Sequence, residues 1–254
     1  MKKRIIITGG ASGLGAAMAE QLHEQDAHIC VIDSDAGALD QFCHTHPSVQ
    51  GHKADVSDEN AVQEIVDGLV HEWGAIDVLC ANAGTGGPAG KIEELSYAQW
   101  QSCLRVNLDG TFVCARAVIP GMKAQGHGSI IITSSTAGLF GYPHRSPYAT
   151  AKWGLIGLMK TLAMELGPSG IRVNALAPGA VEGPRMDSVI ASEARAHNVD
   201  EQTMRQAYVK GVSMRTWVTA QDVANMVIFL LSQEAAKISG QVIAIDGHTE
   251  TLAL

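Results

Sequence analysis

The sequence has little that would tie it to a nucleic acid, a membrane or a metal. Its 18 Lys and Arg are outnumbered by 26 Asp and Glu, giving a formal net charge of −8 over 254 residues. The cations are scattered, whereas a phosphate-backbone footprint needs them clustered. Nucleic-acid partners and anionic membrane surfaces are therefore not expected. The five cysteines, Cys30, Cys43, Cys80, Cys103 and Cys114, form no C-x-x-C pair, so neither a zinc site nor a redox couple is expected. They read as small buried hydrophobes of a reducing compartment. His44 and His46 stand close together, but no acid or cysteine completes a ligand set, and no metal is expected. Residues 1–4 carry the charge of a signal-peptide start. Only Ile5-Ile6-Ile7 follows before the glycines, far short of an apolar region of about 7–15 residues. The longest apolar runs, such as 227–231, fall well below the roughly 20 residues that span a bilayer. With no N-x-S/T sequon either, a cytoplasmic protein is expected.

What is present points to a large packed fold. The chain is 46% hydrophobic with 27 glycines, enough apolar surface to offset the entropy of ordering it. Strands are predicted at 4–8, 28–33, 49–54, 76–81, 129–133, 172–177 and 241–246. Most are continuous apolar runs without alternation, as in parallel strands covered on both faces. Helical patterns separate them, among them 14–25 and 59–72, the latter with Asp58 as N-cap. Strand–helix–strand repetition predicts an α/β Rossmann-type fold, a doubly wound parallel sheet of about seven strands with helices on both faces. No linker or charge block divides it, so residues 1–254 read as one domain. The stretch 183–217 breaks the rhythm, being long, polar and helix-prone with four arginines. An insertion after a late strand is expected to cover the crevice at the strands' carboxyl ends.

The first strand runs directly into Gly9-Gly10-Ala11-Ser12-Gly13-Leu14-Gly15 and then a helix. Glycines let the backbone turn sharply and approach a pyrophosphate, while the helix start presents free N–H groups and a positive dipole end. The second strand ends at Asp33, where an acid can bond the adenosine ribose hydroxyls. No Lys or Arg occurs from Ile5 to His52, although a 2′-phosphate would call for one. The pattern favours NAD over NADP.

Tyr148 and Lys152 stand four residues apart, on one face of a helix. A phenol ionises near pH 10 and is a poor base at neutrality. An adjacent ammonium favours the phenolate and brings it into working range. Ser135 follows a strand end that faces the crevice, so its hydroxyl is placed to bond the same substrate oxygen. Taken alone, such a Tyr/Lys pair is common on solvated helix faces; the glycine loop and the serine give it meaning.

These motifs together resemble the classical short-chain dehydrogenase/reductases, over essentially the whole chain. Thr8 to Gly15 is similar to the family's T-G-x-x-x-G-x-G loop, and Asp55-Val56 to the pair that contacts adenine. Asn82-Ala83-Gly84 matches N-A-G beside the cofactor. Asn107 resembles the helix asparagine that holds a water next to the catalytic lysine, and Ser135, Tyr148 and Lys152 match the catalytic set. Pro178-Gly179 looks like the P-G after the sixth strand. Two positions depart from the pattern. Ala81 replaces the first Asn of N-N-A-G, and Gly183 stands where a threonine usually holds the nicotinamide carboxamide. The second departure implies anchoring by backbone groups near Val181.

The resemblance implies an NAD-dependent oxidoreductase that interconverts a secondary alcohol and its carbonyl. In it Tyr148 exchanges the proton, Lys152 supports the phenolate and the nicotinamide ribose, Ser135 orients the substrate oxygen, and Asn107 links Lys152 to solvent. It also implies a homotetramer through the helices near 97–123 and 148–166, and the apolar tail 251–254 suits a subunit contact. Two alternatives remain open: a 3-oxoacyl thioester (acyl-carrier-protein) reductase, and a catalytically idle NAD-binding sensor or scaffold. His144 and Arg145, just before Tyr148, and Arg185 in the insertion are candidate substrate residues. Arg185, Arg195, Arg205, Lys210 and Arg215 are offset by Glu182, Asp187, Glu193, Asp200 and Glu201. That balance argues against a strongly anion-selective lid. Few aromatics and several polar groups favour a small polyol, sugar or hydroxy acid.

Overall fold

The computed structural model describes residues 2–252. Three isoleucines begin the sheet: in β1 (Arg4–Thr8), Ile5, Ile6 and Ile7 are all essentially inaccessible. Such a strand has no solvent face, and helices must cover it on both sides. The chain then alternates through α1 (Gly13–Glu24), β2 (His28–Asp33), α2 (Ala36–Thr45), β3 (Gln50–Lys53), α3 (Glu59–Trp73) and β4 (Val78–Ala81). It continues through α4 (Tyr97–Leu104), a π-helical turn (Arg105–Asp109), α5 (Gly110–Gln125), β5 (Gly128–Thr133), α6 (Ser146–Leu166) and β6 (Ile171–Pro178). The remaining elements are α7 (Pro184–His197), α8 (Glu201–Lys210), α9 (Ala220–Leu231) and β7 (Val242–Ile245).

All seven strands pair in parallel, in the order β3-β2-β1-β4-β5-β6-β7. Alternate side chains feed two separate cores. Ile6 joins the side covered by α3, α5 and α6, and Ile5 and Ile7 join the side covered by α1, α2 and α9. Asp58 caps α3, accepting from the N–H groups of Asn60 and Ala61 at 3.1 Å. No helix among the described residues is long and apolar enough to cross a membrane.

The strand order reverses between β1 and β4, which opens a crevice at the carboxyl ends of the sheet. Expected and observed strands differ mainly at the edges. The run 49–54 shortens to Gln50–Lys53, whose residues alternate between half-buried and exposed, because an edge strand is covered less completely. The insertion forms α7 and α8 around a small core of Ile190, Ala194 and Met204. It leaves and rejoins the sheet at a parallel bridge between Val181 and Val218.

Candidate active site

The loops after β1, β2, β4, β5 and β6 line one cleft of about 680 Å³. At its first end, Gly9 (φ +59°) and Gly13 (φ +54°) occupy the left-handed region that favours glycine. A Cβ on Gly9 would lie 2.9 Å from the Ala83 Cα, so glycine is what lets this loop touch the end of β4. Thr8 and Asn82 latch the two together. Thr8 Oγ1 accepts from the N–H groups of Asn82 and Ala83, both at 3.0 Å. Asn82 Nδ2 donates to the carbonyls of Thr8 and Gly9, both at 3.2 Å. Gly15 lies behind the lining, where a Cβ would meet the Gly9 carbonyl and Asn82.

Helices α2, α3, α8 and α9 are capped by Asp35, Asp58, Asp200 and Thr219. Helix α1 has no capping side chain and no acid in its first turn. Its first N–H groups open toward the cleft beside Ser12, Gly13 and Leu14, an arrangement that fits a pyrophosphate.

At the end of β2, Asp33 Oδ2 accepts from the Ala11 N–H and Oδ1 from the Asp35 N–H, each at 3.1 Å. Both oxygens keep further acceptor capacity, and Asp33 lines the cleft. Lys53, the first cation after the long gap, is the cross-strand neighbour of Asp33 but is exposed and outside the lining. Asp55 Oδ1 accepts from the Ser57 N–H at 2.9 Å and its hydroxyl at 2.7 Å. These bonds, with the nearby Arg105, hold its carboxyl below the usual carboxylate range. Val56, beside it, also lines the cleft.

The other end is built by β5 and α6. Lys152 Nζ lies 5.6 Å from the Tyr148 ring centroid and donates to the Thr133 carbonyl at 2.9 Å. Ser134 Oγ donates to the Lys152 carbonyl at 2.8 Å, tying helix to strand. Burial pushes the Lys152 ammonium down to about 7; the charge of Arg185 adds to this, and Cys103 opposes it. Ser135 Oγ accepts from the Ala137 N–H at 3.1 Å, which leaves its own O–H to donate. Ser135, Tyr148 and Lys152 all line the cleft.

Asn107 sits on the π turn, fully buried. Its Nδ2 donates to the carbonyls of Cys103 at 2.9 Å and Thr85 at 3.0 Å, while Oδ1 is buried without a partner among the described residues. A Cβ on Gly84 would lie 2.6 Å from that Oδ1 and 3.5 Å from Lys152 Nζ. Glycine at 84 thus keeps an acceptor and a donor facing across a space that a methyl group would fill.

The family model described as enoyl-(acyl carrier protein) reductase matches residues 9–248. The chain belongs to the short-chain dehydrogenase/reductase family. It is 33% identical to a D-beta-hydroxybutyrate dehydrogenase from Rhizobium meliloti (strain 1021), over 97% of this chain and 98% of that one. The crystal structure of NAD+-bound xylitol dehydrogenase superposes with a TM-score of 0.92 at 29% identity, covering 96% of this chain and 98% of that one. A variant of actinorhodin polyketide ketoreductase with NADPH gives a TM-score of 0.92 at 29% identity, over 97% and 96%. The neighbours thus include carriers of either nicotinamide dinucleotide.

In this short-chain dehydrogenase/reductase the cleft also takes in Pro178, Gly179 and Val181. The bridge to Val218 uses the Ala180 carbonyl and the Glu182 N–H, leaving the N–H and carbonyl of Val181 itself on the opposite side of the strand. Arg145 and Arg185 line the cleft, but His144 does not. It occupies a turn at φ +61° with its side chain exposed, so the expected pairing of His144 with Arg145 at the substrate end does not hold. Thr251 and Leu252 line the cleft, and residues 253 and 254 lie outside the described residues.

Sequence reasoning missed Tyr142 and Tyr208, whose hydroxyls meet at 3.3 Å, with Tyr208 donating to Glu193 at 2.8 Å. One signal was available. The chain has only four tyrosines, and three of them, Tyr142, Tyr148 and Tyr208, line the cleft.

Proposed function

We propose that this protein is an NAD-dependent oxidoreductase that interconverts a secondary alcohol and its carbonyl, with small polyols, sugars and hydroxy acids as the favoured substrates. The observation that carries the reading is the convergence of Ser135, Tyr148 and Lys152 on the cleft that the uncapped start of α1 also faces. The relatives, named for dehydrogenation of hydroxyls or reduction of ketones, point the same way. Asp33 at the ribose end, with no Lys or Arg lining that end, favours NAD. The N–H and carbonyl of Val181, which the bridge to Val218 leaves unused, take the anchoring role that Gly183 cannot fill.

Gly9, Ser12–Leu14, Asp33, Asp55-Val56, Asn82–Gly84, Pro178-Gly179 and Val181 would hold the dinucleotide, which would supply the hydride acceptor, and Gly15 packs behind them. The chain's own groups handle the proton. Ser135 donates its O–H to the substrate oxygen and fixes it beside Tyr148. Tyr148, as phenolate, accepts the hydroxyl proton, and the Lys152 ammonium stabilises that negative charge. Asn107 Oδ1, facing Lys152 across Gly84, continues the relay toward solvent. Reduction runs these transfers backwards.

The reading is tested by titrating NAD and NADP calorimetrically and by following reduced-nicotinamide absorbance over a panel of alcohols. NAD is expected to bind the more tightly. Tyr148→Phe is expected to bind NAD nearly as wild type does while turnover falls by several orders of magnitude. Turnover near the wild-type level in that variant would refute the role of Tyr148, and absence of dinucleotide binding would refute the whole reading.

A further inference from the structure

Counted along the sequence, the cations of the insertion are matched by acids, but the fold does not pair them that way. Asp187 is paired with Arg205, Glu193 accepts from Tyr208, and Asp200 caps α8 through Thr203. Among the described residues, Arg185 has no carboxylate within ion-pair distance, and neither has Arg145. The two meet at Gly86. A Cβ placed there would lie 3.0 Å from Arg145 Nη2 and 3.4 Å from Arg185 Nη2. Two guanidinium groups therefore flank one point of the cleft wall, although like charges in a partly enclosed site repel.

Arg145 is held firmly in this position. It is nine-tenths buried, and its Nη2 donates to the Gly86 carbonyl at 2.8 Å. Its guanidinium carbon stands 5.5 Å from the Tyr142 ring centroid and 5.6 Å from that of Tyr148. Stacking of this kind holds the fork in one orientation. Its Nε is buried without a partner among the described residues. A buried guanidinium with an unused donor, beside a second unpaired guanidinium, calls for an oxyanion able to accept several N–H bonds at once. Glu182 also lines the cleft, but it forms no ion pair with either arginine.

We infer that Arg145 and Arg185 form an anion clamp, and that the alcohol this protein oxidises carries a carboxylate or phosphate a few bonds from its carbinol carbon. This deepens the alcohol-oxidoreductase reading and rests on it for the identity of the reacting group. Because Arg145 lies against the Tyr148 ring, the anion sits next to the reacting oxygen, which selects short substrates.

The test uses the full chain with NAD and matched pairs: short hydroxy acids against their methyl esters, and phosphorylated polyols against the free polyols. One charged member is expected to win by at least about 100-fold in kcat/KM, and the pair that shows this preference distinguishes carboxylate from phosphate. Arg185→Gln, at an exposed position where the substitution leaves the fold intact, is expected to reduce that ratio to about tenfold or less, chiefly through KM. Equal use of charged and neutral members, or an unchanged ratio in Arg185→Gln, overturns the clamp. A second measurement does not depend on turnover. Acetate or inorganic phosphate, replacing chloride at constant ionic strength, is expected to raise the Tm of the wild type but not of Arg185→Gln. An Arg185-dependent response without turnover of any alcohol leaves the clamp standing and sinks the redox reading. Turnover of neutral alcohols without any response to anions sinks the clamp alone.

Discussion

At the scale of single residues, Lys152 is the most constrained group in the cleft. Its ammonium is buried, and that burial lowers it to about 7, against an ordinary value of 10.5. Between those values the unfolded chain holds a proton that the folded chain has released, so this contribution to stability grows as the pH rises through the interval. Below it both states are charged and the folded state bears the full cost of a buried cation. Lys152→Met removes the titration. The Tm of the variant minus that of the wild type is therefore expected to be greatest at or below pH 7 and to fall steadily toward about pH 10. Burial also raises the thiols of Cys80 and Cys114, each to about 12, which costs stability at high pH. That effect is common to both proteins and cancels in the difference. Loss of the bond to Thr133 shifts the difference by a nearly constant amount. Thermal unfolding over a pH series checks this, and a difference that does not vary with pH would contradict the burial of the ammonium.

At the scale of elements, the strands were legible because β1, β2 and β5 are continuous apolar runs whose burial admits no other reading. The glycine loop and the Tyr148–Lys152 spacing were legible because each depends on neighbours in sequence. The π turn was not, since hydrophobic periodicity records the face of a helix and not the widening of a single turn. It matters because Asn107 sits on it and bonds the Cys103 and Thr85 carbonyls. The arginine pair and the tyrosine cluster were hidden for a different reason: Arg145 bonds Gly86, and Tyr142 meets Tyr208, across 59 and 66 positions. Asn107→Ala leaves two carbonyls without their side-chain donor. It is expected to destabilise the protein by about 1–3 kcal/mol, a fall of several degrees in Tm. Turnover is expected to fall further than this loss explains, because the acceptor facing Lys152 disappears as well. If the Tm falls while kcat does not, Asn107 only braces the turn.

At the scale of the whole molecule, the helix faces turned away from the sheet argue for association. Helix α6 buries Leu155, Met159, Leu162 and Leu166, yet Trp153 is 51% and Met164 81% exposed on another stripe that includes Gly157. On α4 and α5, Tyr97 and Phe112 are likewise exposed. Large exposed aromatic groups on neighbouring helices are the residues that anchor interfaces. They occupy the two helical regions through which the family resemblance implies a tetramer, and we propose that four copies assemble there. Charge sets a further condition. Each chain carries a net −8, so the copies repel at long range and only the apolar faces bring them together. Added salt screens that repulsion without weakening apolar burial. Sedimentation is therefore expected to show a tetramer at micromolar concentration that tightens as salt is raised, whereas an interface held by ion pairs would loosen. Trp153→Glu combined with Phe112→Glu places acids on an already anionic partner and is expected to yield smaller species with an unchanged circular dichroism spectrum. A wild-type monomer would refute the assembly, and a tetramer that survives the double substitution would place its interface elsewhere.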